Sequence, residues 1–505
     1  MADRANRSIL ANATANVLRL VGSGIVVLAV PPFLTRLLSK EAYGAWVLLM
    51  QWVLWLGFLD FGLQIAVARF VAKADELNQT EERNAVASTA FVLLSVACGV
   101  ALVVIALLAW QFPHVFSKMP SYLQQQGRIA LLVMGSAFAF GLPASTFSAI
   151  FIGLQRNNIP AAVSVGSKVV TACLVIAAAV NHSGLAVMAA AVALSNVGSY
   201  ISSWLAWRAW ASGVRIRISS ASKECARRIA EYSSALTVWN GAMLLISGVD
   251  LSVVGIFDYR ATAAYGVAAT LTNVVAQTQG AIFSAFLPAS AVLSARGDDG
   301  KLGGMLLSST RYGCVTLLLM GLPLLISGNF ILRIWVGSEY AAQGTAVLQV
   351  LVVANIIRLS SLPYSTLLLG TGQQRKVIVS PIAEGIANLV ASVVGAYFLG
   401  AIGVAIGTLI GSIVSVAFHF FYNMPRTSSI AIDRPLLVKD GLLRPLACAI
   451  PLALVMILHF LVPQMTVAIL LSLAAVATAM SLFLLWNYGL LSSERSRLQS
   501  ALRLA

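Results

Sequence analysis

Residues 15–71 read ANVLRLVGSGIVVLAVPPFLTRLLSKEAYGAWVLLMQWVLWLGFLDFGLQIAVARFV and contain two long apolar runs joined by a short turn at about residues 38–42. Each run is long enough to cross a bilayer core, which takes about 20 helical residues. Each also carries a charge, Arg19 in the first and Asp60 in the second. Because a charge at the bilayer centre costs roughly 3 kcal/mol, a simple anchor would avoid both. The hairpin therefore predicts part of a polar path through a membrane.

The composition of the whole chain indicates a membrane protein. Of its 505 residues, 59% are hydrophobic and only 10% are charged, and the mean hydropathy is +0.88. A soluble protein has about 25% charged residues. The apolar residues extend along the entire length, which predicts a polytopic membrane protein. The net charge of +15 lies mainly in loops, where it sets orientation and meets anionic lipid, so we expect no nucleic-acid partner.

The cysteines and histidines do not form a ligand cluster in the sequence. The five cysteines include no closely spaced pair, and the four histidines are scattered. Zinc sites and disulfide frameworks have closely spaced ligands or regular cysteine spacings. We therefore expect no metal site and no cofactor.

Fourteen apolar runs are long enough to be membrane spans. They are predicted to be helices because the strands of a membrane barrel have only about 10 residues and alternate in polarity. The approximate spans are 15–37, 43–66, 87–110, 128–152, 161–181, 185–207, 232–256, 263–292, 311–333, 345–369, 377–398, 401–422, 445–463 and 466–487.

The basic residues predict the orientation of these spans. With the N-terminus in the cytoplasm, 24 of the 33 Lys and Arg residues lie in cytoplasmic segments, 6 lie on the outer side and 3 lie within spans. Cytoplasmic loops of membrane proteins carry an excess of Lys and Arg. The bias therefore places both termini in the cytoplasm.

Three short matches in the same order predict an internal duplication. An even repeat unit of six spans inserts both halves in one orientation, related by an axis along the membrane normal. We expect an N-lobe at 1–215, a C-lobe at 216–425, and two further spans with a basic tail at 426–505. The matches, at offsets of 222, 219 and 219 residues, are Ala42-Tyr43-Gly44 with Ala264-Tyr265-Gly266, Gln155-Arg156 with Gln374-Arg375, and Gly184 with Gly403.

Six ionisable residues fall within the predicted spans, and Arg358 is the strongest candidate for a function. It lies near the middle of span ten, too deep to reach the headgroups easily, and a guanidinium group matches a phosphate through two hydrogen bonds. Arg19 and Asp60 lie in one layer near the cytoplasmic side, where we expect them to pair. Two alternatives to a functional role remain open. The pair could serve only the structure, or the Arg19 side chain could extend to the lipid headgroups.

The other three ionisable residues are assigned supporting roles. Lys168 and Glu384 lie at similar depths in spans five and eleven, which are repeat equivalents, and we expect them to face one another between the lobes. Asp250, near the outer end of span seven, has the weakest claim. Cations in a cavity suit an anionic ligand, and a protonatable carboxylate suits coupling to protons or sodium.

Several sequence segments resemble the oligosaccharide flippases, including O-antigen translocases, of the multidrug/oligosaccharidyl-lipid/polysaccharide exporter superfamily. These segments are PPFLTRLLSKEAYGAWVLL, LDFGLQIAVARFVA, Leu332-Arg333-Ile334-Trp335-Val336-Gly337 and the Gly-x-Gln-Gln-Arg turn that ends at Arg375. The resemblance covers spans one to twelve, and two extra spans also fit the family.

This resemblance implies translocation of an undecaprenyl-diphosphate-linked oligosaccharide from the inner to the outer leaflet by alternating access, in a bacterial cytoplasmic membrane. Arg19, Lys168 and Arg358 would face the phosphate or sugar. Asp60, Glu384 and Asp250 would balance charge or couple an ion. The expected partners are the lipid-linked oligosaccharide, membrane lipids, a polysaccharide polymerase and chain-length machinery, with the chain itself monomeric.

Two classes of alternative stay open. A cation-coupled multidrug exporter or a lipid II exporter would share the fold. Lipid II flippases typically have more arginines in the N-lobe cavity than the first spans of this chain provide, which argues against lipid II. A drug–cation antiporter would more often carry acids than bases in its cavity, so the bases expected here argue against that class. A membrane polymerase or glycosyltransferase would use the same lipid carriers but generally needs a sizeable outer loop with catalytic acids. The outer loops here are short, so we expect a transporter and not an enzyme.

Overall fold

The computed structural model describes residues 22–60, 62–211, 213–284, 286–427, 430, 432–462, 465–491, 495, 496 and 499. Every regular element in these ranges is a helix, and they contain no strand. Among them, ten helical segments are long and apolar enough to cross a membrane, or eleven if one bent pair counts as a single span. The predicted all-helical polytopic fold is confirmed.

The helices are numbered here in chain order. Three π-helical segments follow or interrupt the later helices, at His419–Asn423, Leu437–Leu443 and Leu485–Gly489. The α-helices are α1 Gly22–Leu37, α2 Lys40–Leu56, α3 Leu63–Glu76, α4 Thr80–Val115, α5 Ser121–Gly153, α6 Asn158–Val180, α7 Leu185–Trp210, α8 Lys223–Ser247, α9 Asp250–Phe257, α10 Thr262–Ser284, α11 Phe286–Ala295, α12 Asp299–Trp335, α13 Ser338–Leu359, α14 Leu362–Gly370, α15 Val379–Phe418, α16 Arg434–Leu436, α17 Arg444–Cys448, α18 Ile450–Leu461 and α19 Val467–Leu484.

The opening hairpin forms α1 and α2. Helix α1 continues through Pro31 and Pro32 as far as Leu37. The turn ends at Ser39, whose hydroxyl accepts a hydrogen bond from the backbone N–H of Ala42 at 3.2 Å. This bond satisfies one of the unpaired N–H groups of the first turn of α2. The sequence therefore fixes where the second helix begins.

Predicted spans two, seven and ten are interrupted in the structure. Each consists of two helices separated by a short break, namely α2 and α3, α8 and α9, and α13 and α14. These breaks could not be seen in the long apolar runs, because a mean hydropathy over a window does not detect a change in backbone conformation at one or two residues. Glycine or paired serines mark all three positions, as described below.

The chain divides into two compact units, residues 1–266 and 267–505. This division does not coincide with the predicted lobe boundary. The predicted boundary separates two sequence repeats, whereas the observed units are groups of residues in contact. The duplication with lobes at 1–215 and 216–425 therefore stays a prediction. The two units are described separately.

Small residues let the helices of the first unit pack closely. A Cβ atom on Gly153 of α5 would lie 2.8 Å from the carbonyl oxygen of Ala68 in α3. One on Gly135 would lie 3.0 Å from Ile105 of α4. Close backbone approach replaces hydrophobic driving force in a bilayer, where lipid tails are as apolar as side chains. Gly135 and Gly153 therefore let α5 pack closely against α4 and α3.

The second unit contains a sharp reversal within α15. Gly400 has φ 59° and ψ −139°, a backbone conformation that other residues avoid, and it separates an arm at 379–399 from an arm at 401–418. The arms touch through Gly395 and Gly403, where an added Cβ would lie about 2 Å from backbone atoms of the opposite arm. Predicted spans eleven and twelve are these two arms.

A buried arginine joins α12 to the C-terminal part of the second unit. Arg311 is fully buried, and its Nε donates a hydrogen bond to the carbonyl oxygen of Asp440 at 3.0 Å. Asp440 lies in the π-helical segment Leu437–Leu443. Arg311 therefore lies inside the protein, within α12.

Candidate functional site

Three of the predicted membrane charges lie at breaks between helices. Asp60 ends the 3-10 turn after α2, Asp250 begins α9, and Arg358 is the second-last residue of α13. A helix break leaves backbone groups unpaired at membrane depth, which is tolerated only where protein or water covers them. Transporters place substrate and ion sites at such discontinuous helices. The breaks therefore strengthen the case for these residues.

Asp60 closes the break between α2 and α3. Its Oδ1 accepts a hydrogen bond from the backbone N–H of Gly62 at 2.7 Å, and Gly62 has a left-handed φ of 72°. The side chain is half-buried. Its predicted partner Arg19 lies outside the described residues, so the Arg19–Asp60 pair and the role of Arg19 stay predictions.

Asp250 lies at the break between α8 and α9, and its side chain is buried with 9% exposure. Its Oδ2 lies 3.5 Å from the hydroxyl of Tyr265, which is also buried. Tyr265 belongs to the second copy of the Ala-Tyr-Gly motif. The repeat motif thus supplies a packing partner for a carboxylate that sequence reasoning ranked last.

Helix α2 contacts the region from the α8–α9 break to the start of α10 through polar side chains. The Gln51 amide donates to the carbonyl oxygen of Gly248 at 2.6 Å, and the indole N–H of Trp52 donates to the Ser252 hydroxyl at 2.9 Å. Further along, the Tyr259 hydroxyl donates to the backbone carbonyl of Glu41 at 2.7 Å. We call these three bonds the α2 seam.

The backbones also approach one another along the α2 seam. A Cβ on Gly44 would lie 3.5 Å from the backbone nitrogen of Ala263, and one on Gly266 would lie 3.0 Å from Val47. Gly44 and Gly266 are the glycines of the two motif copies. The two copies of the motif therefore lie on opposite sides of one helix–helix contact. Their glycines have no side chain, so the backbones can approach closely.

Arg358 lies where α13 ends and α14 has not yet begun. Its guanidinium is partly buried, and its Nη2 donates to the side-chain oxygen of Asn355 at 3.4 Å. The carbonyl of Arg358 accepts a hydrogen bond from the Ser361 hydroxyl at 2.7 Å. A cation is favourable at a helix C-terminus because the carbonyl ends of the peptide dipoles point toward it. Pro363 then sets the first turn of α14.

Glu384 lies in the first arm of α15 and is the buried counterpart of Arg358. It is 5% exposed, it hydrogen-bonds with Ser415 of the second arm, and it interacts electrostatically with Arg358. Its Oε1 is buried without a hydrogen-bond partner among the described residues. An ionised carboxylate in such a place needs a proton, a metal cation or a neighbouring guanidinium to balance it.

Buried polar atoms extend from Glu384 along the contact between the arms. Asn388 is 1% exposed, and its Oδ1 accepts a hydrogen bond from the Ser392 hydroxyl at 2.9 Å. The Ser392 hydroxyl also lies 3.3 Å from the carbonyl oxygen of Val404. Buried groups of this kind are expensive in a membrane and mark ion paths or helix-to-helix hydrogen bonds. Here they extend a polar line one helix turn at a time.

Sequence reasoning missed His419, which it treated as one of four scattered histidines. It is buried in the π-helical segment His419–Asn423, with its Nδ1 2.8 Å from the Asn423 amide nitrogen and its Nε2 3.5 Å from the Ser365 hydroxyl. The Tyr364 ring packs edge-on against it. π-Helical turns occur frequently at functional sites. The four-residue spacing of His419 and Asn423 was the only signal in the sequence.

Lys168 lies on the exposed surface of α6 and contacts α1. Its side chain is exposed, and its Nζ donates to the Ser23 hydroxyl at 2.7 Å. Lys168 and Glu384 belong to different units, so their predicted approach stays a prediction. Within the second unit, the predicted charges Arg358 and Glu384 interact electrostatically.

The search for metal ligands within the described ranges finds no group of three or more His, Cys, Asp or Glu side chains that would hold a metal ion. The five cysteines are free thiols, and four of them are buried.

Comparison of the sequence with protein families gives one family model, described as polysaccharide biosynthesis protein, which matches residues 9–294. This match covers more than half of the chain. No curated protein sequence matches significantly.

Several solved structures share the fold. The lipid II flippase MurJ in an inward closed conformation is 12% identical, with a TM-score of 0.65 over 94% of this chain and 98% of that chain. An inward-facing multidrug resistance MATE family transporter of the MOP superfamily is 16% identical, with a TM-score of 0.64 over 81% of this chain and 98% of that chain. A MOP superfamily transporter from Pyrococcus furiosus is 15% identical, with a TM-score of 0.53 over 84% and 95% of the two chains.

Proposed function

The chain belongs to the polysaccharide biosynthesis protein family, and from this premise we propose that it is a flippase for a lipid-linked oligosaccharide. It would move an undecaprenyl-diphosphate-linked glycan, such as an O-antigen unit, from the inner to the outer leaflet of a bacterial cytoplasmic membrane. Both termini would be cytoplasmic, and the chain would act as a monomer beside a polymerase and chain-length machinery. Its multiple apolar helices and its family support a membrane transporter.

The position of Arg358 is the observation that carries this proposal. A guanidinium group at the end of a broken helix, with Asn355 as its nearest hydrogen-bonding side chain, presents several donors in a plane. A diphosphate offers the matching acceptors, and such charge-assisted pairs are about twice as strong as neutral hydrogen bonds. Arg358 would therefore hold the diphosphate while the glycan and tail occupy other parts of the protein.

Glu384 supplies a means of coupling transport to a proton or cation. Its carboxylate and the substrate phosphate would compete for Arg358, because both are anions that interact with one guanidinium. When Glu384 takes up a proton or a cation, Arg358 is released to bind the substrate. When Glu384 is ionised, it pairs with Arg358 and favours substrate release. A ligand shifts a conformational equilibrium only through such a difference in affinity between states.

The helix breaks supply positions at which the fold can change shape. Hinges are a few residues at the ends of elements that absorb changes in φ and ψ. Gly62, Gly248 and the Ser360-Ser361 pair occupy such positions. In the proposed cycle the lobes at 1–215 and 216–425 move about these hinges, and the substrate site opens to alternate sides.

The alternatives differ in substrate and not in fold. A cation-coupled multidrug exporter or a lipid II exporter would use the same helices, and the similarity to MATE and MurJ structures does not separate them, since it concerns the fold alone. A membrane polymerase or glycosyltransferase would form a product without leaflet transfer. The family favours the glycan flippase, and the phosphate chemistry of Arg358 favours a lipid diphosphate over a drug.

The test is glycan export in cells that carry single substitutions. Arg358→Ala should reduce surface glycan at least tenfold at equal protein abundance, and Arg358→Lys should restore only part of it, since Lys lacks the planar fork. Glu384→Gln should lower export and weaken its dependence on external pH or sodium. The matched control is Arg333→Ala, which removes an exposed arginine of the same unit at the end of α12.

Normal export by folded Arg358→Ala would remove the phosphate-binding role. Product formation by the purified protein without leaflet transfer would instead favour an enzyme. Loss of drug resistance with intact glycan export would favour a multidrug exporter. Accumulation of lipid II in the inner leaflet would favour a lipid II exporter.

A further inference from the structure

A long groove lies between α6 and α7 in the first unit. It has a volume of about 1030 Å³ and runs from Asn158 and Trp210 at one end to Leu174 and Leu194 at the other. Ligand pockets usually have about 300–1,000 Å³. The groove is therefore large enough for a substantial apolar ligand, and none of the predicted charged residues lines it.

The walls of the groove present carbon to its interior, although several serines line it. The Ser199 hydroxyl donates to the carbonyl of Asn196, and the Ser202 hydroxyl donates to the carbonyl of Gly198, both at 2.8 Å. The Ser195 hydroxyl likewise donates to the carbonyl of Ser167 at 2.9 Å. Because these hydroxyls bond to the helices themselves, the groove suits a hydrocarbon chain better than a sugar.

The length of the groove distinguishes between kinds of hydrocarbon chain. From Asn158 to Leu174 the rise along α6 is about 24 Å, at 1.5 Å per residue. One leaflet of the hydrocarbon core is about 15 Å deep, half of the usual 30 Å. A phospholipid acyl chain would fill only part of such a groove, whereas a long polyprenyl chain would extend along all of it.

The end of the groove at Asn158 and Trp210 carries positive charge. The Arg156 guanidinium donates to the backbone carbonyl of Trp210 at 2.8 Å, and Arg156 is otherwise exposed. The segment 152–211 contains no Asp or Glu. A ligand with an apolar tail and an anionic head therefore matches the groove and its mouth.

We propose that this groove binds the tail of a long-chain polyprenyl diphosphate, with the diphosphate at Arg156. This rests on the proposed function, because the lipid-linked substrate of the proposed flippase has such an apolar tail and anionic head group. The tail would lie along α6 and α7 of the N-lobe while Arg358 of the second unit engages the head group at another stage of transport.

Glycines make a clean test possible. A Cβ on Gly166 or Gly198 would meet no atom within 4 Å, and both residues line the groove. Leucine at these positions would extend from this open space into the groove, and it has a higher helix propensity than glycine. Gly99 of α4 is exposed and equally open but lies outside the groove, so Gly99→Leu is the matched control.

Binding of radiolabelled undecaprenyl diphosphate to the purified full-length protein is the measurement. We expect Gly166→Leu/Gly198→Leu to weaken binding at least tenfold, Arg156→Ala to weaken it several-fold, and Gly99→Leu to bind within twofold of the unchanged protein. Farnesyl diphosphate, which has the same head and a 15-carbon tail, should compete at least tenfold less well. Phosphatidylglycerol should not compete.

Three results would overturn the inference. They are unchanged binding by the folded groove variant, equal competition by farnesyl diphosphate, and equal competition by phosphatidylglycerol, which would indicate an ordinary lipid site. Glycan export separates this outcome from the proposed function. Loss of export in Arg358→Ala with an unaffected groove variant rejects only the groove. Product formation by the purified protein without leaflet transfer, with weakened binding in the groove variant, rejects only the flippase.

Discussion

The α2 seam joins the predicted N-lobe to the first helices of the predicted C-lobe, so its removal should change which side of the protein is open. The triple variant Gln51→Met, Trp52→Phe, Tyr259→Phe removes its three side-chain hydrogen bonds and keeps most of the side-chain volume. Each bond contributes about 1 kcal/mol net. Their sum of about 3 kcal/mol corresponds to an equilibrium shift of about 100-fold, at 1.4 kcal/mol per factor of ten.

Cysteine labelling can measure this shift. Val47 packs near Gly266 beside the α2 seam, so Val47→Cys should react slowly with a membrane-impermeant maleimide added from outside. The background would carry Cys173→Ser, since Cys173 is exposed. In the triple variant the labelling rate should rise in proportion to the open fraction, at least tenfold.

A matched control distinguishes the seam from general loosening. Trp207→Phe also removes an indole hydrogen bond, here to the carbonyl of Val214 at 3.1 Å, but within the predicted N-lobe. It should leave the labelling of Val47→Cys unchanged. If the triple variant folds and its labelling rate stays at the starting value, the seam does not hold the outer ends together and the reasoning is refuted.

Three further substitutions test the packing of the second unit through thermal unfolding in detergent. Gly400→Ala should destabilise the protein by about 1–3 kcal/mol, because its φ of 59° with ψ of −139° is strained for any other residue; an unchanged melting temperature would contradict the reversal. Gly403→Ala should be at least as damaging, since its Cβ would lie 1.9 Å from the Gly395 carbonyl oxygen; normal assembly would show that the arms can separate. The pKa of Asp298, outside the spans, is lowered by its hydrogen bond with Lys301. Its contribution is therefore present above the ordinary value near 4 and is lost as the pH falls through the lowered pKa. Asp298→Asn should reduce the melting temperature slightly at pH 7 and less toward pH 3, and an equal effect at both would exclude the charge.

The sequence was sufficient for the fold because hydropathy and length together specify helices in a membrane. Runs of about 20 apolar residues leave few alternatives, since every backbone group must be paired internally. The breaks at Gly57–Asp60, Gly248 and Ser360-Ser361 were not predicted, because one or two residues barely change a windowed average. Their signals were local: glycine at the first two, and paired serines with a proline two residues later at the third.

The candidate site was predicted in part for a similar reason. A charge within an apolar run is visible in the sequence, and this identified Arg358 and Glu384. Whether two such charges meet depends on tertiary packing, so depth along the spans did not predict their proximity to one another. His419 was missed because a lone histidine has no partner in sequence except Asn423, and its other neighbours, Ser365 and Tyr364, come from another span.

Arg311 has a consequence for how the chain is made. Its guanidinium reaches a carbonyl acceptor that lies 129 residues further along the chain, so it leaves the ribosome long before that acceptor is synthesised. Until then the guanidinium must stay hydrated or pair with a lipid phosphate. Helix α12 can reach its final position only after residues 437–443 have been synthesised. Shortening the gene before that point would leave a charge in the interior without its carbonyl and mark the protein for degradation. The segment 437–443 is therefore needed to complete the folding of α12 in the second unit.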